Sequence, residues 1–361
     1  SHRRRPCLHS GHEMSTYSAM GSGIRNSIVC DLRSDTVTCP DDAMRAAMAA
    51  AEVGDDVYGE DPSIIALENR MAGLLGKDAA MFVSSGTQSN LCAIMAHCGR
   101  GDELIVGDAY HIYADEAAGA SVLAGVSMHV IPVDDGNAVS AEQVKGAVKD
   151  DDPHYARSRL LCLENTVGGK TISLEKMRAP AQAARDAGLS FHLDGARFFN
   201  AITELRCTAK ELADCADSVS VCFSKGLGAP VGSILVGSHA IIARARRNRK
   251  ILGGGLRQAG VLAAASTHAL DHHLSLLPAD HDRAAQLAVA LHDLDVGSVH
   301  SGTNMVFFTP NASQHNALHA HMEAAGVRIG GQHPTIRMVM HRDIDDAGLE
   351  TAITAFRSFY A

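Results

Sequence analysis

The sequence predicts an α/β fold: a large, mostly parallel sheet domain with helices on both faces, followed by a smaller α+β C-terminal domain. Three observations carry this. Short apolar runs recur between residues 79 and 237, bounded by turn residues. Helical periods fall between several of them. Past about Leu276 the texture changes to long helices with few strands. Near-continuous apolar strands alternating with helices need cover on both faces, and only a mostly parallel sheet provides it.

The elements follow in order. Residues 1–28 are basic, rich in Ser, Gly and His, and lack apolar periodicity; they are expected to form a disordered tail outside the fold. The large domain is expected over 29–275 and the small one over 276–361. PDDAMRAAMAAAEVG and SIIALENRMAGLLG read as helices, each closed by a glycine able to take the left-handed cap conformation. AAMFVSS, DELIVGD, VSMHVIPV, RLLCLEN, LSFHLD, SVSVCFS and SILVG read as strands, with the helix LEKMRAPAQAARDAG among them. In the small domain, HDRAAQLAVALHDL reads as helix, and NMVFFTP and TIRMVMHRD as strands.

Composition narrows the function. The chain has 361 residues, 46% hydrophobic and 20% charged, with a formal net charge of −9. That acidic balance argues against nucleic acid as the partner, because phosphate contacts want a basic face. No apolar stretch reaches the length of a membrane span. Nine cysteines without CxxC pairing read as reduced thiols, hence a cytoplasmic enzyme.

Three loops at strand ends carry chemistry. SSGTQSN (84–90) follows a strand and opens a helix, so Gly86 and Thr87 sit where free backbone N–H groups favour a phosphate; a plain Ser/Thr cap fits equally well. In FHLDGARFFN, Asp194 ends an apolar strand, where an acid is costly without a donor or cation; an Asp–Gly turn paired to Arg197 is the bland alternative. In SVSVCFSKGLGAPVGS, Lys225 closes an apolar strand and is surrounded by glycines that let a large group approach the backbone. Taken together the three fit pyridoxal phosphate, which needs a lysine, a carboxylate at its ring nitrogen and a helix N-terminus for its phosphate.

On these stretches, together with DLRSDTVT, VGDDVYGEDP, LLCLENT and GGGLRQAG, the chain resembles the low-specificity L-threonine aldolases of the fold-type I, aspartate-aminotransferase-like group. The resemblance implies cleavage of L-threonine, L-allo-threonine and related β-hydroxy-α-amino acids to glycine and an aldehyde. It implies Lys225 as the Schiff-base residue, Asp194 at the ring nitrogen, Gly86 and Thr87 at the phosphate, and His111 stacked on the ring. Ser34, Arg197 and Arg337 would bind the substrate carboxylate. Lys250 and Arg257 would reach a neighbouring subunit's phosphate, implying a homo-oligomer, a dimer of dimers. His154 would be a second active-site histidine, and His111 and His154 the candidate bases for the β-hydroxyl proton. β-Elimination, racemisation or transamination would use the same lysine and aspartate.

Departures from the family pattern are Val167, in ENTVGGK, for a histidine, Cys39 for an arginine, Asn248 for a tryptophan, and the loop YADEAAG after His111. They bear on the substrate side chain rather than on the cofactor.

Overall fold

The computed structural model of the chain describes residues 28–311 and 313–361. The expected tail, apart from residue 28, lies outside the described residues.

All seven expected strands of the large unit form. They are β2 (Ala79–Val83), β3 (Glu103–Gly107), β4 (Ser127–Ile131), β5 (Ser158–Glu164), β6 (Ser190–Gly195), β7 (Ser218–Cys222) and β8 (Ser233–Gly237). They pair in the order β2-β8-β7-β6-β5-β3-β4, parallel from β4 through β7, with β8 antiparallel to both β7 and β2. Strands β3, β7 and β8 are buried along their whole length, as their continuous apolar character requires. Helix α3 (Gly86–His97) lies against the sheet, with α9 (His239–Ile251) packed on it.

Of the two early helices, α2 (Pro62–Leu75) ends as expected, with Gly76 at φ 66°. Helix α1 (Asp42–Ala49) does not reach Gly54; its cap is Ala50 at φ −93°. Gly54 serves a close approach instead, since a Cβ there would lie 2.2 Å from the Glu60 carbonyl oxygen.

Strand β2 is a sheet edge, and side chains from α2 and α9 satisfy its outward groups. Glu68 Oε1 accepts from Phe82 N at 2.8 Å, Arg246 donates to Ala80 O at 3.0 Å, and Arg249 donates to Phe82 O at 2.6 Å. Glu68 and Arg246 also pair with each other. Arg249 meets Asp56 at 2.8 Å with both side chains buried. The edge thus presents no free ladder to another chain.

The small unit is an antiparallel sheet of β12 (Gly330–Gln332), β13 (Thr335–Val339), β10 (Met305–Pro310) and β9 (Gly297–Gly302), in that order. Helices α11 (Leu277–His292), α12 (His315–Ala324) and α13 (Asp346–Tyr360) accompany it. Strand β1 (Cys30–Asp31) pairs in parallel with β11 (Val327–Arg328), and Cys30 and Leu32 pack in the small unit's core with Phe308 and Phe356. Among the described residues, 30–32 thus join the small unit before the chain crosses to the large one. Two residues of strand pairing and a shared apolar core hold them there.

The buried Arg249–Asp56 pair supports a prediction. Arg249→Leu strands a buried carboxylate and is expected to cost about 3–5 kcal/mol in denaturant unfolding, whereas adding Asp56→Leu is expected to recover much of it.

Candidate active site

The carboxyl ends of the parallel strands bring the expected residues together. Glu164 closes β5 and Asp194 lies on β6 in register with it; Lys225 follows the end of β7. This is where open α/β sheets bind ligands.

Asp194 is buried, 2% exposed. Its Oδ1 accepts from Ala196 N at 2.9 Å and its Oδ2 from Asn90 Nδ2 at 2.7 Å. Among the described residues no lysine, arginine or histidine forms an ion pair with it. The same Asn90 nitrogen donates to Glu116 Oε1 at 2.7 Å. A buried amide that serves two carboxylates must be held with its NH2 facing them. A line of neutral imidazoles does this. Burial, and then the neighbouring His97, press His192 down to about 3; burial presses His97 down to about 4. The Asn90 oxygen faces His192 Nε2 at 3.1 Å, His192 Nδ1 faces Ser218 Oγ at 2.8 Å, and that hydroxyl faces His97 Nε2 at 2.8 Å. One assignment satisfies every contact: His192 donates from Nε2 to Asn90, Ser218 donates to His192 Nδ1, and His97 donates to Ser218.

His111 opens the short helix α4 (His111–Ala114). Its backbone N donates to Glu164 Oε2 at 2.6 Å, and its Nδ1 lies 2.8 Å from Glu116 Oε1. The Glu116 hydrogen bond raises His111 above the ordinary imidazole value despite burial. Burial and the Asp194 charge push Glu164 well above the usual carboxylate range. Burial, outweighing the His111 contact, pushes Glu116 up as well. His111, Glu116 and Asp194 converge, with one polar atom of each within 4.8 Å of the others.

Helix α3 begins at Gly86, and Ser85 Oγ caps it by accepting from Gln88 N at 3.2 Å. A Cβ on Gly86 would lie 2.8 Å from Cys222 Sγ, so glycine lets the helix start press against the end of β7. The first-turn N–H groups of Gly86 and Thr87 have no intrahelical acceptor. The Lys225 carbonyl is fixed by Thr38 Oγ1 at 3.0 Å and Gly228 N at 2.8 Å. Gly228 has φ 77°, and a Cβ there would meet Arg342 at 2.7 Å.

Arg197 donates from Nε and Nη2 to the two oxygens of Asp35 at 2.8 and 2.6 Å. Burial would raise Asp35, but the Arg197 guanidinium and its hydrogen bonds outweigh that and hold it at about 2. Asn304, from the small unit, donates to the same carboxylate at 3.4 Å. Arg337, on β13, donates to the Arg33 carbonyl at 3.2 Å and so stands beside Ser34, whose Oγ caps the turn over 35–37.

The other expected site residues lie apart from this group within the chain. His154 is at the surface, its side chain 87% exposed, and bonds only Asp152, at 2.6 Å from Nδ1. Lys250 is exposed at the end of α9, and Arg257 is exposed and pairs with Asp55 at 3.1 Å. Of the departures, Val167 is buried, Cys39 is exposed, and Asn248 reaches the Cys92 carbonyl at 3.4 Å.

Sequence reasoning missed Asn90, Glu116, Glu164, Asp35 and His192. Asn90 closes the glycine loop and Asp35 sits in the opening motif, so position alone could have flagged those two. The others are ordinary-looking residues within strands or loops, and only the register across the sheet joins them.

This set fits pyridoxal phosphate. It holds a buried carboxylate with no ion pair among the described residues, an amine on a glycine-rich loop and a helix start whose glycine permits close approach. Comparison with known proteins agrees. Residues 31–313 match the beta-eliminating lyase family. The chain is 44% identical over 331 residues to the low specificity L-threonine aldolase of Escherichia coli K12, covering 92% of this chain and 99% of that one. Its fold matches a Leishmania major threonine aldolase at TM-score 0.80 and 19% identity, over 92% of this chain and all of that one. It also matches a high-resolution structure of SPT with PLP at TM-score 0.68 and 18% identity, over 91% and 86%. The chain therefore belongs to the low-specificity L-threonine aldolases, a family of fold-type I lyases that depend on pyridoxal phosphate.

Proposed function

We propose that this enzyme cleaves L-threonine, L-allo-threonine and related β-hydroxy-α-amino acids to glycine and an aldehyde. The observation that carries the reading is the convergence of His111, Glu116 and Asp194 within 4.8 Å at the carboxyl ends of the parallel strands, where the Lys225 loop follows β7. When bound, pyridoxal phosphate supplies the electron sink for the bond broken at Cα. Lys225 would hold it covalently, Asp194 would hold a proton at its ring nitrogen, His111 would lie against its ring, and Gly86 and Thr87 would bind its phosphate.

The remaining roles belong to the chain itself. Arg197 and Arg337, with Ser34, bind the substrate carboxylate. Asp35 occupies the Nε and Nη2 edge of Arg197 and so aims the guanidinium. Clamping the carboxylate fixes which Cα bond is presented for cleavage. His111 or His154 accepts the β-hydroxyl proton, since an imidazole does this near neutral pH where lysine and arginine do not.

Lys250 and Arg257 act from a neighbouring copy in a homo-oligomer, a dimer of dimers. Apolar side chains surround the basic pair: Val57, Tyr58, Ile65 and Ile251 are exposed, Tyr58 at 76% and Ile251 at 73%. They border a cleft of about 340 Å³ whose lining includes Val57, Tyr58, Ile65 and Lys250. Exposed apolar groups of that size suit a contact between copies. We place the enzyme in the cytoplasm, in keeping with eight free cysteines among the described residues.

Threonine distinguishes aldol cleavage from β-elimination: acetaldehyde and glycine are expected, and 2-oxobutanoate with ammonia would refute the reading. Borohydride is expected to fix the cofactor on Lys225, and Lys225→Ala is expected to fold while losing turnover.

Mixing Lys225→Ala with Arg257→Ala is expected to restore part of the activity in hybrids, since each site would draw on two chains. Demonstrated hybrids without recovery would exclude shared sites.

A pH profile tests the base. His111 must be neutral to accept a proton, and Glu116 stabilises its charged form, so the acid limb of kcat/KM should lie above the ordinary imidazole value of about 6.5. Glu116→Gln removes that stabilisation and should move the limb to lower pH. A limb that stays put while turnover falls would show that His111 is not the titrating base, and His154→Asn then becomes the variant to profile.

A further inference from the structure

Behind the lysine loop, outside the residues assigned above, Asp41, His268 and His273 converge. Asp41 caps α1, His268 lies on α10 (Gly260–His272), and His273 follows it directly. His273 Nε2 is 3.1 Å from Asp41 Oδ2, and His268 Nε2 is 3.8 Å from Asp41 Oδ1. One polar atom from each of the three residues lies within 4.8 Å of the others.

The protonation pattern of His273 is constrained. Its Nδ1 is 2.7 Å from the Leu227 carbonyl oxygen, the shorter of its two contacts, which favours N–H at Nδ1 over acceptance from Arg342 Nη1 at 3.2 Å. In a neutral ring Nε2 is then a lone pair, and it faces a carboxylate oxygen. Arg342 brings charge to Asp41 Oδ2 but meets His273 at its other nitrogen, so the contact between Nε2 and Oδ2 itself still calls for a proton or a metal ion. A proton would bridge only two of the groups. The third, His268 Nε2, converges on the other oxygen of the same carboxylate, which calls for a centre that several ligands can share. An imidazole that donates its second nitrogen to a backbone carbonyl while presenting the first is also the usual outer arrangement of a metal-ligating histidine. Arg342 completes the surroundings: it donates to Asp41 Oδ2 at 2.8 Å, lies 3.2 Å from His273 Nδ1 and pairs with Asp343 at 3.4 Å.

We propose that Asp41, His268 and His273 bind a divalent first-row cation of the zinc type, with two imidazole nitrogens and one carboxylate as protein ligands and the fourth position open to water. The donor set suits zinc, which takes nitrogen and oxygen ligands in tetrahedral sites with neighbouring ligand atoms about this far apart. The ion braces the lysine loop, because His273 holds the carbonyl of Leu227, two residues past Lys225, and Asp41 holds the start of α1. The proposal does not rest on the aldolase reading.

The test uses the full-length holoenzyme, loaded with zinc chloride, desalted and assayed for zinc by mass spectrometry, beside His268→Gln and Asp41→Asn. Asparagine retains the helix cap, so Asp41→Asn is expected to fold. The sequence also carries histidines at positions 2, 9 and 12, a residue type that ligates zinc, so the informative quantity is the difference between proteins. Wild type is expected to retain one more zinc per chain than either variant. Cobalt loading should give visible bands of a tetrahedral site in wild type and not in the variants, and EDTA should lower the Tm of wild type alone. Equal zinc content in wild type and the folded variants, with no cobalt bands, would overturn the proposal.

Discussion

A carboxylate buried at the end of a parallel strand, with no ion pair among the described residues, is the constraint on which the site is built. Taking Asp194 out of water is expensive, and the two neutral donors that meet it offset only part of the cost. The rest of the local structure is arranged so that those donors cannot turn away. Asn90 lies on α3, and its amide is aimed by His192, which Ser218 and His97 hold in one tautomer. This is why His192 stands inside an apolar sheet, with His97 at the end of α3 completing the line, and why burial that keeps His192 neutral is useful: a charged imidazole would have no lone pair to accept from Ser218.

The charges around that carboxylate are unbalanced. Glu116 and Glu164 are both raised toward their neutral forms, and Asp194 contributes to each shift. Against these acids stand His111 and Lys225. Such a surplus of acid favours a protonated ring nitrogen and a raised imidazole. The same physics is resolved differently across the small unit's boundary, where Asp35 has a dedicated partner in Arg197 and remains ionised. One acid is met by neutral donors, the other by an arginine.

The sheet was legible because each strand is a short apolar run between turns, and that pattern does not depend on what packs against it. The lysine and aspartate loops were legible because glycine and a buried charge are both costly unless something requires them. Asn90, Glu116 and Glu164 were not, since nothing in their local sequence marks them; the register of Glu164 with Asp194 exists only in the folded sheet. The end of α1 was misplaced for a related reason. Gly54 looks like a helix cap, but the glycine is required by the approach of the Glu60 carbonyl rather than by a left-handed turn. The side taken by residues 30–32 was not legible, because two residues of β1 carry too little pattern to say which core they join.

The departures from the family pattern fall on backbone that is held independently of the side chain that changed. Val167 forms a β-bridge with Lys170, accepts at its carbonyl from Asn137 at 3.1 Å, and precedes Gly168 and Gly169, the latter packed against the Gly302 carbonyl. Cys39 is fixed through its backbone N, which donates to Asp343 at 2.9 Å. Where main-chain hydrogen bonds and glycine contacts hold a loop, a side chain can be exchanged without moving the residues beside it. The lysine loop is held in the same way, by Thr38 and Gly228 at the Lys225 carbonyl and by His273 at the Leu227 carbonyl.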